Sequence, residues 1–404
     1  MITPQKALDL ILESTSVLGG EDVRLDASVG RVLAEDILAN DDLPPFDNSA
    51  MDGFAVRLQD CSRASQRVPA LLTIKETIRA GALAQLEVYP GEAIKIMTGA
   101  PLPQGADAVV MKEATKEQGD GRVSILQAPK SGDHIRRHGE DIRSGMLILN
   151  KGLKIRPYEV ALLVAQGIDH VFVIKRPRIS ILATGDELLE LADRLVPGKI
   201  RNSNGPALAA ALCRWGIVPL NKGIVKDDPA LMRQALEESL AGADVLLVTG
   251  GVSAGDFDYT KAILEDLGLR TVFWKAAIKP GKPLLFGLCR DKLVFGLPGN
   301  PVSVMVCLEE FVRPALEKLQ GHSPGYPSYH LSGIAANDYP KPEDRQQYLF
   351  CRAEREGNDH KLQIIRPQGS AMFGMACKAN ALAIAPIGVS RVKQGDSLAF
   401  RWLK

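Results

Sequence analysis

Between residues 179 and 319 the chain passes repeatedly from a short apolar run to a segment with helical periodicity, and this alternation restricts the fold more than any other feature. Residues 179–183, a run ending near Val225, 245–248 and 293–295 read as buried-type strands. Leu208, Ala211, Leu212 and Trp215 recur at i, i+3, i+4 and i+7 behind a cap expected at Asn204, with Pro206 in the first turn. Asp227-Asp228-Pro229 opens the next helix by the same logic; Ile263, Leu264 and Leu267 mark a third, and a fourth follows Pro301 to about Leu319. Strands separated by helices are joined by crossovers rather than tight turns, so a parallel sheet covered on both faces is expected.

The flanks follow other rules. Thr3 and Pro4 start a helix whose Ala7, Leu8, Ile11 and Leu12 share a face, and an irregular Pro/Asp/Asn-rich stretch follows at 41–49. From 51 to 148, short strand-like runs at 71–74, 93–97 and 108–111 alternate with Gly/Pro turns, which describes a mainly-β module. After Gly321-His322-Ser323-Pro324-Gly325, runs at 348–352, 362–366, 381–386 and 397–402 form a small β domain. The fold class expected is multidomain, α/β plus β, and 404 residues suffice for several cores.

Composition narrows the function. The 49 Lys and Arg balance 48 Asp and Glu, which argues against a dedicated nucleic-acid binder but leaves room for local basic pockets. The six cysteines are scattered with no C-x-x-C, so zinc and iron–sulfur sites are not expected and reduced thiols are. No apolar run approaches the ~20 residues that span a bilayer, and the first residues do not resemble a secretory leader. A cytoplasmic protein with neither membrane nor nucleic acid as a partner is the expectation.

In an open parallel sheet, ligands bind beyond the carboxyl ends of the strands. Three strands here end in small-residue loops: Thr184-Gly185-Asp186-Glu187; Thr249-Gly250-Gly251, continuing through Ser253 to Asp256 and Asp258; and Leu297-Pro298-Gly299-Asn300-Pro301. Glycines can serve tight turns alone, but three such loops on one edge favour a phosphate-bearing ligand held by backbone N–H groups. A bare carboxylate about 4 Å from a phosphate charge costs roughly 4 kcal/mol at an effective dielectric near 20. Asp186, Glu187 and Asp258 therefore call for an intervening Mg²⁺, although Asp258 could also simply cap the following helix. Lys275, Lys279 and Lys282, in a loop stiffened by Pro280, Gly281 and Pro283, suit a doubly charged oxyanion.

Other motifs fail on context. Gly251-Val252-Ser253-Ala254-Gly255 has the form of a nucleophile elbow, but Asp-Phe-Asp-Tyr-Thr separates its serine from the expected helix. His134 and His138 are spaced i, i+4, yet Gly139 follows at once, so an exposed turn is expected rather than a metal pair. P-loop and dinucleotide fingerprints are absent.

Taken in order, the loops carry a resemblance. Asp47-Asn48-Ser49-Ala50-Met51-Asp52-Gly53, Met97-Thr98-Gly99-Ala100-Pro101 and Gly139-Glu140-Asp141-Ile142 resemble the N-terminal signatures of the molybdopterin molybdenumtransferase family. So do Thr184-Gly185-Asp186-Glu187-Leu188, Asn202-Ser203-Asn204, Gly250-Gly251-Val252-Ser253, Lys279-Pro280-Gly281-Lys282-Pro283 and Pro298-Gly299-Asn300-Pro301-Val302-Ser303. The match is collinear over nearly the whole chain. It implies an enzyme that takes adenylated molybdopterin and molybdate, inserts the metal into the dithiolene and releases AMP in the presence of Mg²⁺. Asp52, Thr98, Asp141, Glu187, Asp227 and Asp258 would then be catalytic, with Asp186, Glu187 and Asp258 toward Mg²⁺. Asp52 could instead be only a turn former before Gly53, and Asp227 only a helix cap. Thr184, Gly185, Asp186, Asn202, Ser203, Gly250, Gly251, Ser253, Lys275, Lys279, Lys282, Pro298, Gly299, Asn300, Pro301 and Ser303 would bind pterin, nucleotide or molybdate.

The family pattern also implies a split N-terminal region: an elongated dimerisation domain from 1–45 and 140–175, an inserted mainly-β domain at 46–139, an α/β domain at 176–325 and a β-barrel-like domain at 326–404. It implies a homodimer whose cleft lies between the sheet domain of one subunit and the inserted domain of the other. Transient contacts with other cofactor-synthesis proteins and with apo-molybdoenzymes would accompany it. Phe54, Ala254 and Arg201 depart from the common pattern; Arg201 puts a charge beside Asn202 where an aromatic is often seen. The alternatives are the neighbouring adenylyl transfer to molybdopterin and a non-catalytic scaffold role like that of gephyrin. The additional N- and C-terminal regions weigh against the first, and no fused second domain is seen to favour the second.

Overall fold

The computed structural model describes residues 1–251, 259–323 and 328–403, and the chain divides into two compact units, Met1–Glu21 with Phe172–Lys404, and Asp22–Val171. In the first unit, strands Leu220–Val225, Ile179–Thr184, Val245–Thr249 and Lys292–Leu297 lie side by side and parallel. Alternation puts Ile179, Ile181, Val245, Leu247, Leu293 and Phe295 on one face with Leu208, Leu212 and Phe311, and Leu182, Leu246, Val248 and Val294 on the other with Met232, Leu236 and Leu264. Two buried faces explain why the three inner strands, Ile179–Thr184, Val245–Thr249 and Lys292–Leu297, read as apolar runs, whereas Leu220–Val225, at the sheet edge, is exposed over its first half.

The sheet is not wholly parallel. Strand Leu285–Cys289 runs antiparallel to Lys292–Leu297, and Leu269–Trp274 runs antiparallel to it at the edge. The reason is local: Arg290 takes a positive φ of 57° in a tight reversal that leaves no room for a crossover. Residues 1–21 belong to this unit, because Ala7, Leu8 and Ile11 of helix Pro4–Glu13 enter the same core as the sheet. Thr3 caps that helix as expected, its hydroxyl accepting from the Lys6 N–H. The helix from Pro301 to Leu319 contains a π turn at Leu308–Val312, just before Pro314, which has no N–H to give to the Glu310 carbonyl.

The C-terminal strands close into a five-stranded barrel. Gln346–Glu356, Asp359–Ile364, Leu331–Ala335, Ser397–Trp402 and Ala381–Ala385 pair in turn, and the last returns to the first. Two interactions fasten it to the α/β layer. Ile278–Lys279 pairs as a short parallel strand with Gln346 and Gln347. The carboxylate of buried Glu310 accepts from Tyr329 Oη and Arg401 Nη2, each at 2.9 Å. Burial pushes the Glu310 carboxyl above its usual range, and Arg401 opposes that shift.

In the second unit a six-stranded sheet has the order Ala108–Met111, Gly53–Val56, Glu92–Ile96, Ala70–Ile78, Arg122–Ile125 and Thr115–Glu117. Short pairings, Ile37–Leu38 with Leu147–Leu149 and Asn48–Ser49 with Ile135–Arg136, join segments before and after it in sequence. Among the described residues no helix is long and apolar enough to cross a membrane.

Phe286 is fully buried, with ring centroids 4.9 Å from Phe295 and 5.8 Å from Phe273. Phe286→Ala opens a cavity that the packed sheet cannot close, and should cost about 3–5 kcal/mol, read as a lowered midpoint in urea. A midpoint unchanged from wild type contradicts this packing.

Candidate active site

The carboxyl ends of the parallel strands meet in a cleft of about 700 Å³. Thr184 and Thr249 end two strands at its floor, and the turn after the second brings Gly250 so close to Thr184 that a Cβ would lie 2.5 Å from the Thr184 carbonyl. At Gly251, φ is 61° and a Cβ would sit 2.1 Å from Thr260 Oγ1. Both positions need glycine, for conformation and for space. Ser253 and Asp258, the remaining expected contributors from this loop, lie outside the described residues, as does Ala254.

Beside the floor, Asp186 and Asp227 are laced together. The Asp186 N–H donates to Asp227 Oδ2 and the Asp227 N–H to Asp186 Oδ1, both at 3.3 Å. A helix-cap role does not account for Asp227, because Asp228 caps that helix, accepting from the Ala230 and Leu231 N–H groups at 2.9 Å. Lys199 Nζ donates to the Asp186 carbonyl at 2.5 Å. Glu187 lines the cleft with Asn202, Ser203 and Arg201. The helix there begins one residue earlier than expected: Ser203 is its N-cap and Asn202 Oδ1 accepts from the Gly205 N–H at 3.1 Å. Asn204 is freed from capping, and its amide donates to the Gly299 carbonyl at 2.8 Å, tying two of the loops together.

A second pocket, of about 240 Å³, adjoins the first and shares Pro283, Pro298 and Asn300 with it. Lys279, Lys282 and Arg345 line it without a carboxylate among the described lining residues, together with Gln347, Ser303 and Ser370. Such a lining suits a compact oxyanion. Lys275 is not part of it. Its backbone has a φ of 75°, and its ammonium lies 3.7 Å from the centroid of the Trp274 ring. Sequence reasoning missed Arg345, Gln347, Ser370 and Phe373, all from the C-terminal region, because no periodicity marks them. Arg345 and Gln347 reach the site through the pairing of Ile278–Lys279 with Gln346 and Gln347, and Ser370 through its carbonyl, which accepts from the Val302 N–H at 3.0 Å.

In the second unit, Asp52 and Thr98 meet. Asp52 Oδ1 accepts from the Thr98 N–H and from its hydroxyl, each at 2.8 Å. These bonds, the backbone one foremost, hold the Asp52 carboxyl below its usual range. Asp141 stands on a separate bend, where its N–H donates to the Leu43 carbonyl. His138 is engaged by Asp42 at 2.8 Å rather than by His134.

Oxygen donors of the kind Asp186, Asp227 and Glu187 supply suit Mg²⁺, which takes one or two carboxylates and completes its shell with substrate oxygens and water. Among the described residues no three His, Cys, Asp or Glu side chains converge to hold a metal by themselves.

Thr98→Val removes the hydroxyl bond to Asp52 and keeps the N–H bond. The Asp52 carboxyl should therefore titrate at higher pH in the variant, as followed by carboxyl ¹³C NMR; an unmoved titration contradicts the role assigned to Thr98.

Comparison with known proteins covers almost the whole chain. Residues 2–167 match the MoeA N-terminal region (domain I and II), 180–318 a probable molybdopterin binding domain, and 332–401 the MoeA C-terminal region (domain IV). The chain is 39% identical to the molybdopterin molybdenumtransferase of Bacillus subtilis over 93% of its own length and 88% of the relative's. It is 35% identical to that of Haemophilus influenzae, over 94% and 92%. The crystal structure of a molybdopterin biosynthesis MoeA protein from Pyrococcus horikoshii superposes with a TM-score of 0.81 at 31% identity, covering all of both chains.

Proposed function

The chain belongs to the molybdopterin molybdenumtransferase family, and we propose that it inserts molybdenum from molybdate into adenylated molybdopterin with release of AMP. The observation that carries this reading is the adjacency of two chambers of opposite character: a small pocket lined by three cations and a larger cleft lined by the carboxylate of Glu187, next in the chain to the laced pair Asp186 and Asp227. Molybdate, a tetrahedral dianion, is assigned to Lys279, Lys282, Arg345 and Ser370. The pterin and its adenylate are assigned to the cleft, where Gly250, Gly251, Asn202, Ser203 and Gly299 allow close approach of the backbone.

The shared wall of Pro283, Pro298 and Asn300 places the two chambers side by side. Two thiols of the pterin replace one oxide of molybdate, and that oxide leaves as water with the two thiol protons. A second water adds to the adenylyl phosphorus, the anhydride P–O bond breaks, and AMP departs while the pterin keeps its own phosphate. One or two of the carboxylates of Asp186, Asp227 and Glu187, with substrate oxygens, would hold Mg²⁺, which when bound neutralises charge on the phosphate oxygens. The protein's residues do the positioning. Lys279 and Lys282 are fixed by a loop stiffened by proline and by backbone pairing, so little reorganisation is needed when the dianion arrives. Asp52, held ionised by Thr98, and Asp141 are assigned to the reaction from their positions in the family motifs. Lys275 is set aside from the oxyanion pocket because of its contact with Trp274. A homodimer, a cytoplasmic location and transient delivery to apo-molybdoenzymes belong to the same proposal.

Purified protein should release AMP from adenylated molybdopterin with Mg²⁺ only when molybdate is present, and without ATP. Arg345→Ala should raise the half-saturating molybdate concentration about tenfold or more and leave that for the adenylated pterin within about twofold. Glu187→Ala should depress kcat about 100-fold. AMP release that ignores molybdate, or a demand for ATP, contradicts the proposal.

A further inference from the structure

The cleft and the pocket differ in how they handle negative charge. Three cations line the smaller chamber, whereas Arg201 is the one Lys or Arg among the described residues lining the larger. Arg201 comes from the short strand Ile200–Arg201, which pairs in parallel with Leu188–Leu189. The Ile200 N–H donates to the Glu187 carbonyl at 2.8 Å, so Glu187, just before one strand of this ribbon, and Arg201, on the other, line the same cleft. The guanidinium is exposed and only loosely engaged: Nε lies 3.4 Å from the Leu191 carbonyl and Nη2 3.5 Å from that of Asp193. Among the described residues it has no carboxylate partner. A forked, permanently charged donor with weak contacts of its own is fitted to exchange them for phosphate oxygens, which it can bind through two N–H groups at once. Molybdate has its own cations in the adjoining pocket and does not need this one.

We propose that Arg201 is a specificity-determining residue of the cleft and receives the phosphoanhydride oxygens of the adenylated substrate. The inference rests on the functional reading above for the identity of that substrate, a nucleotide anhydride, and on the cleft geometry alone for the ligand class, a molecule carrying phosphate oxygens.

The test uses the full chain with ADP as the probe, adenosine as the uncharged control, and the variants Arg201→Gln and Arg201→Lys. Calorimetric Kd for ADP should rise about 10- to 100-fold in Arg201→Gln and less than about tenfold in Arg201→Lys, which keeps the charge and loses the fork. Adenosine binding should be unchanged, and the dependence of ADP binding on salt should weaken in Arg201→Gln. In turnover, Arg201→Gln should raise KM for adenylated molybdopterin, with kcat and the molybdate dependence within about twofold. No ADP binding by wild type, an ADP Kd within twofold of wild type in Arg201→Gln, or an equal loss for ADP and adenosine overturns the proposal; the last would make Arg201 a staple for the 191–193 backbone. Arg201-dependent ADP binding by a wild-type protein that releases no AMP would sustain the anhydride site while the transferase reading fails.

Discussion

The candidate site depends on one short piece of backbone pairing. Ile278 and Lys279 add a parallel strand to the barrel at Gln346 and Gln347, so a loop that starts at the edge of the α/β sheet becomes part of another sheet. That registration sets Lys279 and Lys282 opposite Arg345 and Ser370, and it builds the oxyanion pocket against the turn at Pro298 and Asn300. The buried Glu310, bonded by Arg401 from the barrel and by Tyr329, repeats the connection deeper in the core. A buried ion pair adds little net stability over apolar packing, but removing one partner strands a charge, so the arrangement punishes any alternative docking of the barrel.

Separation of charge is the second theme. Asp186, Asp227 and Glu187 crowd the strand ends, and a molybdate placed among them would meet repulsion of roughly 4 kcal/mol per unit charge pair near 4 Å at an effective dielectric of 20. Moving the cations into a chamber of their own, across a wall of proline and asparagine, removes that conflict while leaving the two reactants adjacent. The proposed reaction needs both conditions. The anhydride is best held where a divalent cation can sit, and the oxyanion in a chamber that no carboxylate lines among the described residues.

Much of this was legible in the chain, for identifiable reasons. The three inner parallel strands announced themselves as apolar runs because both faces are buried, and the strand-end loops because Gly250 and Gly251 occupy positions where a Cβ would strike Thr184 or Thr260. Local rules failed where competing side chains lay one residue apart. Asn204 looked like a cap, yet Ser203 and Asn202 take the helix start and Asn204 binds the Gly299 carbonyl instead. The antiparallel strand at Leu285–Cys289 was hidden behind Lys279-Pro280-Gly281-Lys282-Pro283, which reads as loop until Arg290 reverses the chain. Arg345 and Ser370 had no local signal at all. Spacing also grouped Lys275 with Lys279 and Lys282, but a positive φ turns Lys275 onto Trp274.

The claim that the two chambers serve one coupled reaction is tested most directly by stoichiometry. Adenylated molybdopterin and isotopically labelled molybdate would be given to the purified protein, and molybdenum bound to pterin would be counted against AMP in the same aliquots through the time course. The account predicts one molybdenum inserted per AMP released at every time point. AMP that accumulates without a matching gain of pterin-bound molybdenum would contradict it.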